Sequence, residues 1–105
     1  MLTVIMPLYN EGEFIYRNVE TVNALLNQHG ITHRFLLVDD GSRDNSWDEI
    51  SRLSLALPVD GLRLSRNFGK EAALCAALEA VDSDAVVVMD SDLQHPPEMI
   101  PKMVR

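Results

Sequence analysis

Apolar residues along this chain fall into short runs and helical stripes that alternate from one end to the other. Leu2 to Met6 is an apolar run too short for a helix, and Pro7, which cannot donate in a central ladder, is expected to stop it. Asn10 with Glu13 three residues on resembles a capping box. The helix it would open carries Ile15, Val19, Val22 and Leu26 as one apolar stripe and ends at Gly30. Arg34 to Asp40 is a second strand, stopped by acids and turned by Gly41-Ser42. Ser46 and Glu49 read as a capping box for a second helix, lined by Trp47, Ile50, Leu53 and Leu57 and followed by Pro58. Val59 to Ser65 is the weakest strand, broken by Asp60 and Gly61, and suits an edge. Arg66 to Lys70 leads into an alanine-rich helix from about Gly69 to Val81 that can approach a sheet closely. Ala85 to Met89 is valine-rich and fits a strand buried on both faces. Pro96-Pro97-Glu98 then reads as the start of a fourth helix.

Strand and helix alternate throughout, which predicts an α/β fold of three layers, a parallel sheet with helices on both faces. In such a sheet the carboxyl ends of the strands share one rim, and ligands bind there. Here that rim collects Pro7 to Glu11, Asp39 to Ser42, Arg66 to Lys70 and Asp90 to Gln94. The opposite rim offers Gly30 to His33 and Asp82 to Asp84, an ordinary loop mixture.

Bulk properties narrow the partners. The 105 residues suffice for one small domain, and a net charge of −7 argues against nucleic acid or an anionic membrane surface as a direct partner. Any anionic ligand would need a metal ion or local cations to offset the acids. The single cysteine, Cys75, permits no disulfide within the chain and reads as a small buried hydrophobe. With no signal-peptide pattern and no apolar stretch of bilayer length, the expected location is the cytosol.

The rim residues suit a nucleoside diphosphate. Tyr9 can stack on a base. Asp39 or Asp40, and likewise Glu11, can accept from a base N–H or a ribose hydroxyl. Asp90 and Asp92, two apart at a strand end, project to the same side and can share a Mg²⁺ or Mn²⁺ that holds a diphosphate. Arg66 and Lys70 are spaced to reach an anion near a helix N-terminus. Plainer readings stand beside these: an acidic turn at Asp90-Ser91-Asp92, an ordinary surface aromatic at Tyr9, solvated charges at Arg66 and Lys70. Trp47 is most simply core, His95 a helix-entry residue, and His29 and His33 have no assigned role.

The segments Met6-Pro7-Leu8-Tyr9-Asn10-Glu11, Val38-Asp39-Asp40-Gly41-Ser42, Ser65-Arg66-Asn67-Phe68-Gly69 and Asp90-Ser91-Asp92-Leu93-Gln94-His95-Pro96-Pro97-Glu98 resemble, in order and spacing, the N-terminal half of a glycosyltransferase family 2 enzyme of GT-A fold. The last two look most like the branch that transfers sugars to polyprenyl phosphates. This resemblance implies a sheet order of 3-2-1-4, with the Asp90 strand beside the Pro7 strand. It implies that Pro7, Tyr9, Asn10, Glu11, Asp39 and Asp40 bind the base and ribose of a UDP- or GDP-sugar. Arg66 and Lys70 would support the anionic donor, while Asp90, Asp92 and Gln94 would hold Mg²⁺ or Mn²⁺ and the diphosphate. Ser91 departs from the alanine that relatives often carry.

Catalytic domains of this family continue for about as many residues again, so residues 1–105 read as the donor-binding half, truncated before the acceptor site and general base. Alone, this half is expected to bind nucleotide weakly, to transfer no sugar and to self-associate through its last strand. The full-length enzyme would act at the cytoplasmic face of the membrane, by inversion, on a polyprenyl phosphate or alternatively a saccharide. Rival readings fit less well. A dehalogenase-type phosphatase follows its D-x-D with small residues and not Leu93-Gln94. Nucleotidyltransferases open with a glycine-rich basic loop. In receiver domains the acidic pair follows the first strand, whereas Asp39-Asp40 follows the second.

Overall fold

The computed structural model describes residues 1–81 and 85–89, and the expected fourth helix at Pro96 lies outside them. The elements are β1 (Leu2–Leu8), α1 (Ile15–Gln28), β2 (His33–Asp39), α2 (Ser46–Ala56), β3 (Val59–Arg63), α3 (Lys70–Ala80) and β4 (Ala85–Val88). Their strands form one sheet in the order β3-β2-β1-β4, with every neighbouring pair parallel. Both the alternation of elements and the 3-2-1-4 order therefore match expectation.

Successive side chains of a strand face opposite sides of the sheet, and this alternation builds two apolar layers. On one side Leu2, Val4, Met6 and Leu8 of β1 and Phe35 and Leu37 of β2 pack with Ile15, Val19, Val22 and Leu26 of α1 and with Ile50 and Leu53 of α2. The whole α1 stripe is sealed from solvent, each such side chain contributing about 1.5–3 kcal/mol on burial. On the other side Ile5, Leu36 and Val38 meet Ala73 and Ala77 of α3, whose small side chains bring that helix close to the sheet. α1 closes with the N–H groups of Gly30 and Ile31 returning to the carbonyls of Asn27 and Leu26.

Two local expectations change. β1 runs through Pro7 to Leu8. Leu8 O accepts from Asp40 N on the β2 side, whereas Ile5 O accepts from Met89 N on the β4 side. Pro7 shares the parity of Ile5, so its missing N–H faces β4 and costs β1 no bond to β2. Cys75 is exposed and not buried. Only Ala73 and Ala77 of α3 are buried, and Cys75 lies off that face. His33 is structural: it is buried, with ring nitrogens 2.8 Å from the Ile31 carbonyl and 2.7 Å from Asn23 Oδ1, and its ring stands edge-on to Phe35.

β3 is an edge strand with Asp60 and Gly61 exposed, as its broken pattern predicts. Trp47 is half-buried against the core, with the Arg63 guanidinium over its ring. At the other end of the sheet Ala85, Val86 and Val88 of β4 are exposed, so this strand is not buried on both faces as its valine run suggests. No helix among the described residues is long and apolar enough to cross a membrane.

Candidate functional site

Sheet register aligns the strand ends. Leu8 of β1 stands opposite Asp39 of β2, which stands opposite Arg63 of β3. Two further bonds carry this alignment past the strands, from Asp40 N to Leu8 O and from Leu64 N to Asp39 O, each 2.9 Å. Tyr9, Asn10, Glu11, Asp39, Asp40, Arg66 and Lys70 are thereby gathered at one rim, with Pro7 buried just inside it in β1. Met89, the residue before Asp90, bonds to Ile5 O at 2.9 Å beside them. Asp90, Asp92 and Gln94 lie outside the described residues, among which no three His, Cys, Asp or Glu groups cluster as metal ligands.

A ladder of side-chain bonds joins the loop after β1 to the loop after β2. Asn10 N donates to Ser42 Oγ at 2.8 Å, and Arg43 N donates back to Asn10 Oδ1 at 2.8 Å. Glu11 N donates to Ser46 Oγ at 3.0 Å, and Gly12 N to Asp44 Oδ2 at 3.1 Å. Asp44 Oδ1 in turn accepts from the backbone N–H and the hydroxyl of Ser46. The loops approach so closely that a Cβ on Gly12 would lie 2.0 Å from Asn45 Oδ1 and 2.8 Å from Ser46 N. Burial raises the Asp44 pKa, but the Ser46 hydroxyl and the N–H groups of Ser46, Gly12 and Asp44 itself outweigh it and hold the carboxyl below its ordinary value.

This ladder overturns both expected capping boxes. Asn10 sits at φ 53°, a left-handed conformation asparagine tolerates, and its amide oxygen serves Arg43 in the facing loop. α1 starts later, with Phe14 at its N-cap and no side-chain cap. Ser46 is the first residue of α2, after Asn45, and its hydroxyl serves Glu11 and Asp44. Glu49 instead pairs with Arg52. The sequence places Ser42 on the rim but does not mark it, Asp44, Ser46 or Gly12 as the residues that tie the two loops together. The one signal for Ser42, Asp44 and Ser46 is the run of turn-forming side chains directly after β2, and Gly12 carries none.

Asp39 and Asp40, adjacent in sequence, have different surroundings. Asp39 is fully buried: Oδ1 accepts from Ser42 N at 2.8 Å, while Oδ2 has no hydrogen-bond partner among the described residues. A buried carboxylate oxygen left unpaired is costly, and it calls for a partner that the described residues do not supply. Asp40 spends both oxygens on backbone, Oδ1 on Phe68 N at 2.9 Å and Oδ2 on Gly69 N at 3.0 Å. Between the two loops Gly41 has φ 71°, and a Cβ there would lie 2.2 Å from the Arg66 carbonyl carbon. Only glycine fits that conformation and that space. The Arg66 guanidinium lies 4.8 Å from the centre of the Phe68 ring. Tyr9, after β1, and Phe68, after β3, are half-exposed aromatics in the loops on either side of the β2 end.

Residues 3–105 match the family described as Glycosyl transferase family 2. The chain belongs to that family. Among its relatives, an undecaprenyl-phosphate 4-deoxy-4-formamido-L-arabinose transferase of Pseudomonas syringae pv. syringae is 38% identical, over 99% of this chain and 32% of the relative. A dolichol-phosphate mannosyltransferase of Pyrococcus furiosus is 36% identical, over 98% of this chain and 29% of its own. The fold is that of GT-A glycosyltransferases. A mannosyltransferase from Pyrobaculum calidifontis, solved with GDP-Man and Mn²⁺, superposes with TM-score 0.78 at 24% identity, over 93% of this chain and 29% of that one. Glucosyl-3-phosphoglycerate synthase from Mycobacterium tuberculosis, solved with Mn²⁺, UDP and glucosyl-3-phosphoglycerate, gives TM-score 0.78 at 25% identity, over 99% and 38%. The chain therefore spans about a third of these relatives. Family membership sets aside the phosphatase, nucleotidyltransferase and receiver readings.

Proposed function

We propose that this chain is the donor-binding half of an inverting glycosyltransferase that moves a sugar from a UDP- or GDP-sugar to a polyprenyl phosphate. The observation that carries the reading is Asp39 Oδ2, a buried acceptor without a partner among the described residues, at the end of β2, which lies between β1 and β3 in the sheet. A uracil or guanine N–H, or a ribose hydroxyl, supplies the donor it lacks, while Tyr9 offers a stacking face worth about 1–3 kcal/mol. Glu11 and Asn10 complete the nucleoside side, held in place by Ser42 and Ser46. Arg66 and Lys70 supply positive charge at the N-terminal end of α3, where the helix dipole also favours an anion.

Asp90, Asp92 and Gln94 would hold a divalent cation. Two carboxylates and an amide oxygen are hard donors of the kind Mg²⁺ and Mn²⁺ take, so the residue types fit the group. When bound, the cation offsets the charge that gathers on the departing diphosphate. Mn²⁺ in two structural neighbours, alongside GDP-Man or UDP, supports this reading. For the acceptor, the relatives named for undecaprenyl and dolichol phosphate favour a polyprenyl phosphate over a saccharide. A phosphate monoester has its second pKa near about 6 and is largely dianionic at neutral pH, so it can attack the anomeric carbon once the donor is oriented. With such an acceptor the intact enzyme would act at a membrane surface, and we read that surface as the cytoplasmic face.

The test is transfer by the intact protein from radiolabelled UDP- and GDP-sugars with Mn²⁺, offered a polyprenyl phosphate or a saccharide. Label moving into the lipid-phosphate fraction supports the reading. Transfer to the saccharide alone replaces the acceptor, and no transfer from any donor overturns the proposal.

A further inference from the structure

We propose that Asp40 is a positioning residue for the donor: it contacts no ligand, and its carboxylate docks the Arg66–Gly69 segment so that Arg66 faces the nucleotide. This rests on the donor-site reading above. Sequence alone leaves Asp39 and Asp40 interchangeable as groups for the base or ribose, and the structure separates them. Asp40 is only 4% exposed, and each oxygen accepts a backbone N–H from a segment 28 or 29 residues further along. Both bonds have a charged acceptor, which makes them stronger than neutral pairs.

They also fall on the residues that orient Arg66. Phe68, whose N–H reaches Oδ1, carries the ring on which the Arg66 guanidinium lies. Gly69, whose N–H reaches Oδ2, is the N-cap of α3, with Lys70 the first helical residue. Gly41 lies directly under Arg66 and Asn67, with no room for a side chain, so the segment is pressed onto the loop after β2 as well as tied to it. The exposed end of Arg66 is free to meet an anion only while this docking holds. Asparagine at position 40 keeps one acceptor oxygen and turns an amide group toward the other N–H, so one tie is lost and replaced by a donor facing a donor.

The test uses wild-type protein, Asp40→Asn, Arg66→Ala and the double variant. Without ligand, the Phe68 and Gly69 amides are expected to exchange with deuterium more slowly than free loop amides in wild type and in Arg66→Ala, and markedly faster in Asp40→Asn. Calorimetric titration with UDP and GDP in Mn²⁺ is expected to show about tenfold or weaker binding for each single variant. The double variant should bind no more weakly than the worse single one, because both act through Arg66. Removing the ribose 2′- or 3′-hydroxyl should cost the same factor in wild type and in Asp40→Asn. A hydroxyl penalty that vanishes in Asp40→Asn, or additive losses in the double variant, makes Asp40 a direct ligand and overturns the proposal. Should Asp40→Asn fail to fold, wild-type amides at Phe68 and Gly69 that exchange as fast as free loop amides overturn it equally. Protected amides in a protein that binds neither nucleotide refute the donor reading instead, leaving the docking intact and removing its purpose.

Discussion

Replacing Asp39 by asparagine should move stability and binding in opposite senses. Asp39 is fully buried, with Oδ1 satisfied by Ser42 N at 2.8 Å and Oδ2 unpartnered among the described residues. Asparagine has nearly the same shape and keeps the acceptor toward Ser42. The unpaired position stays unpaired but sheds its charge, so the free energy of unfolding should hold or rise by up to about 2 kcal/mol. Binding loses a hydrogen bond to a charged acceptor, worth about 1.5–3 kcal/mol, and gains an amide N–H facing the ligand's own donor. Nucleotide affinity should therefore fall about ten- to a hundredfold. Urea unfolding followed by fluorescence of Trp47 gives the first quantity, and calorimetric titration with UDP and GDP in Mn²⁺ the second. A variant that is destabilised by several kcal/mol yet binds nucleotide as wild type does would refute the reasoning, making Asp39 a structural group only.

Other substitutions separate core, loops and site. Leu26→Ala, at a fully sealed α1 position, should cost about 2–5 kcal/mol in chemical denaturation. Gly41→Ala must push the Arg66 backbone away, and a cost above about 2 kcal/mol with weakened nucleotide binding is expected. Tyr9→Ala, at a half-exposed side chain, should leave the melting temperature within a few degrees and weaken nucleotide binding by about 1–3 kcal/mol. Asp44 has a folded pKa below its ordinary 3.8, so its contribution to stability is complete above that value and disappears as pH falls through the folded pKa. Asp44→Asn should accordingly flatten the acid limb of a stability–pH curve and leave its neutral region the least pH-dependent.

Much of the framework was legible because period and burial agree. The stripe Ile15, Val19, Val22, Leu26 is apolar at helical spacing and is the buried face of α1. Val59 to Ser65 reads as an edge because Asp60 and Gly61 interrupt it, and β3 (Val59–Arg63) is an outer strand of the sheet. Residue spacing gave parallel strands, but their 3-2-1-4 order came only with the family resemblance, since crossover lengths do not say where a strand inserts. Asn10 and Ser46 misled for a physical reason. A short polar side chain near a helix start can cap it or bond a neighbouring loop, and here the long-range partners win. Cys75 misled because KEAALCAALEA is apolar almost all round, so periodicity does not mark which face meets the sheet. Nothing in the sequence could tell Asp39 from Asp40. That distinction depends on Phe68 and Gly69, in the loop after β3, reaching Asp40.

The central claim, that the loops at one rim jointly hold a nucleotide and its cation, is tested most directly by Mn²⁺-induced broadening of backbone amide resonances in the presence of UDP or GDP. Broadening is expected at Tyr9 to Glu11, Asp39 to Ser42 and Arg66 to Lys70, increasing when nucleotide is added, with Gly30 to His33 at the opposite rim unaffected. Broadening centred on Gly30 to His33, or none that depends on nucleotide, would contradict the account.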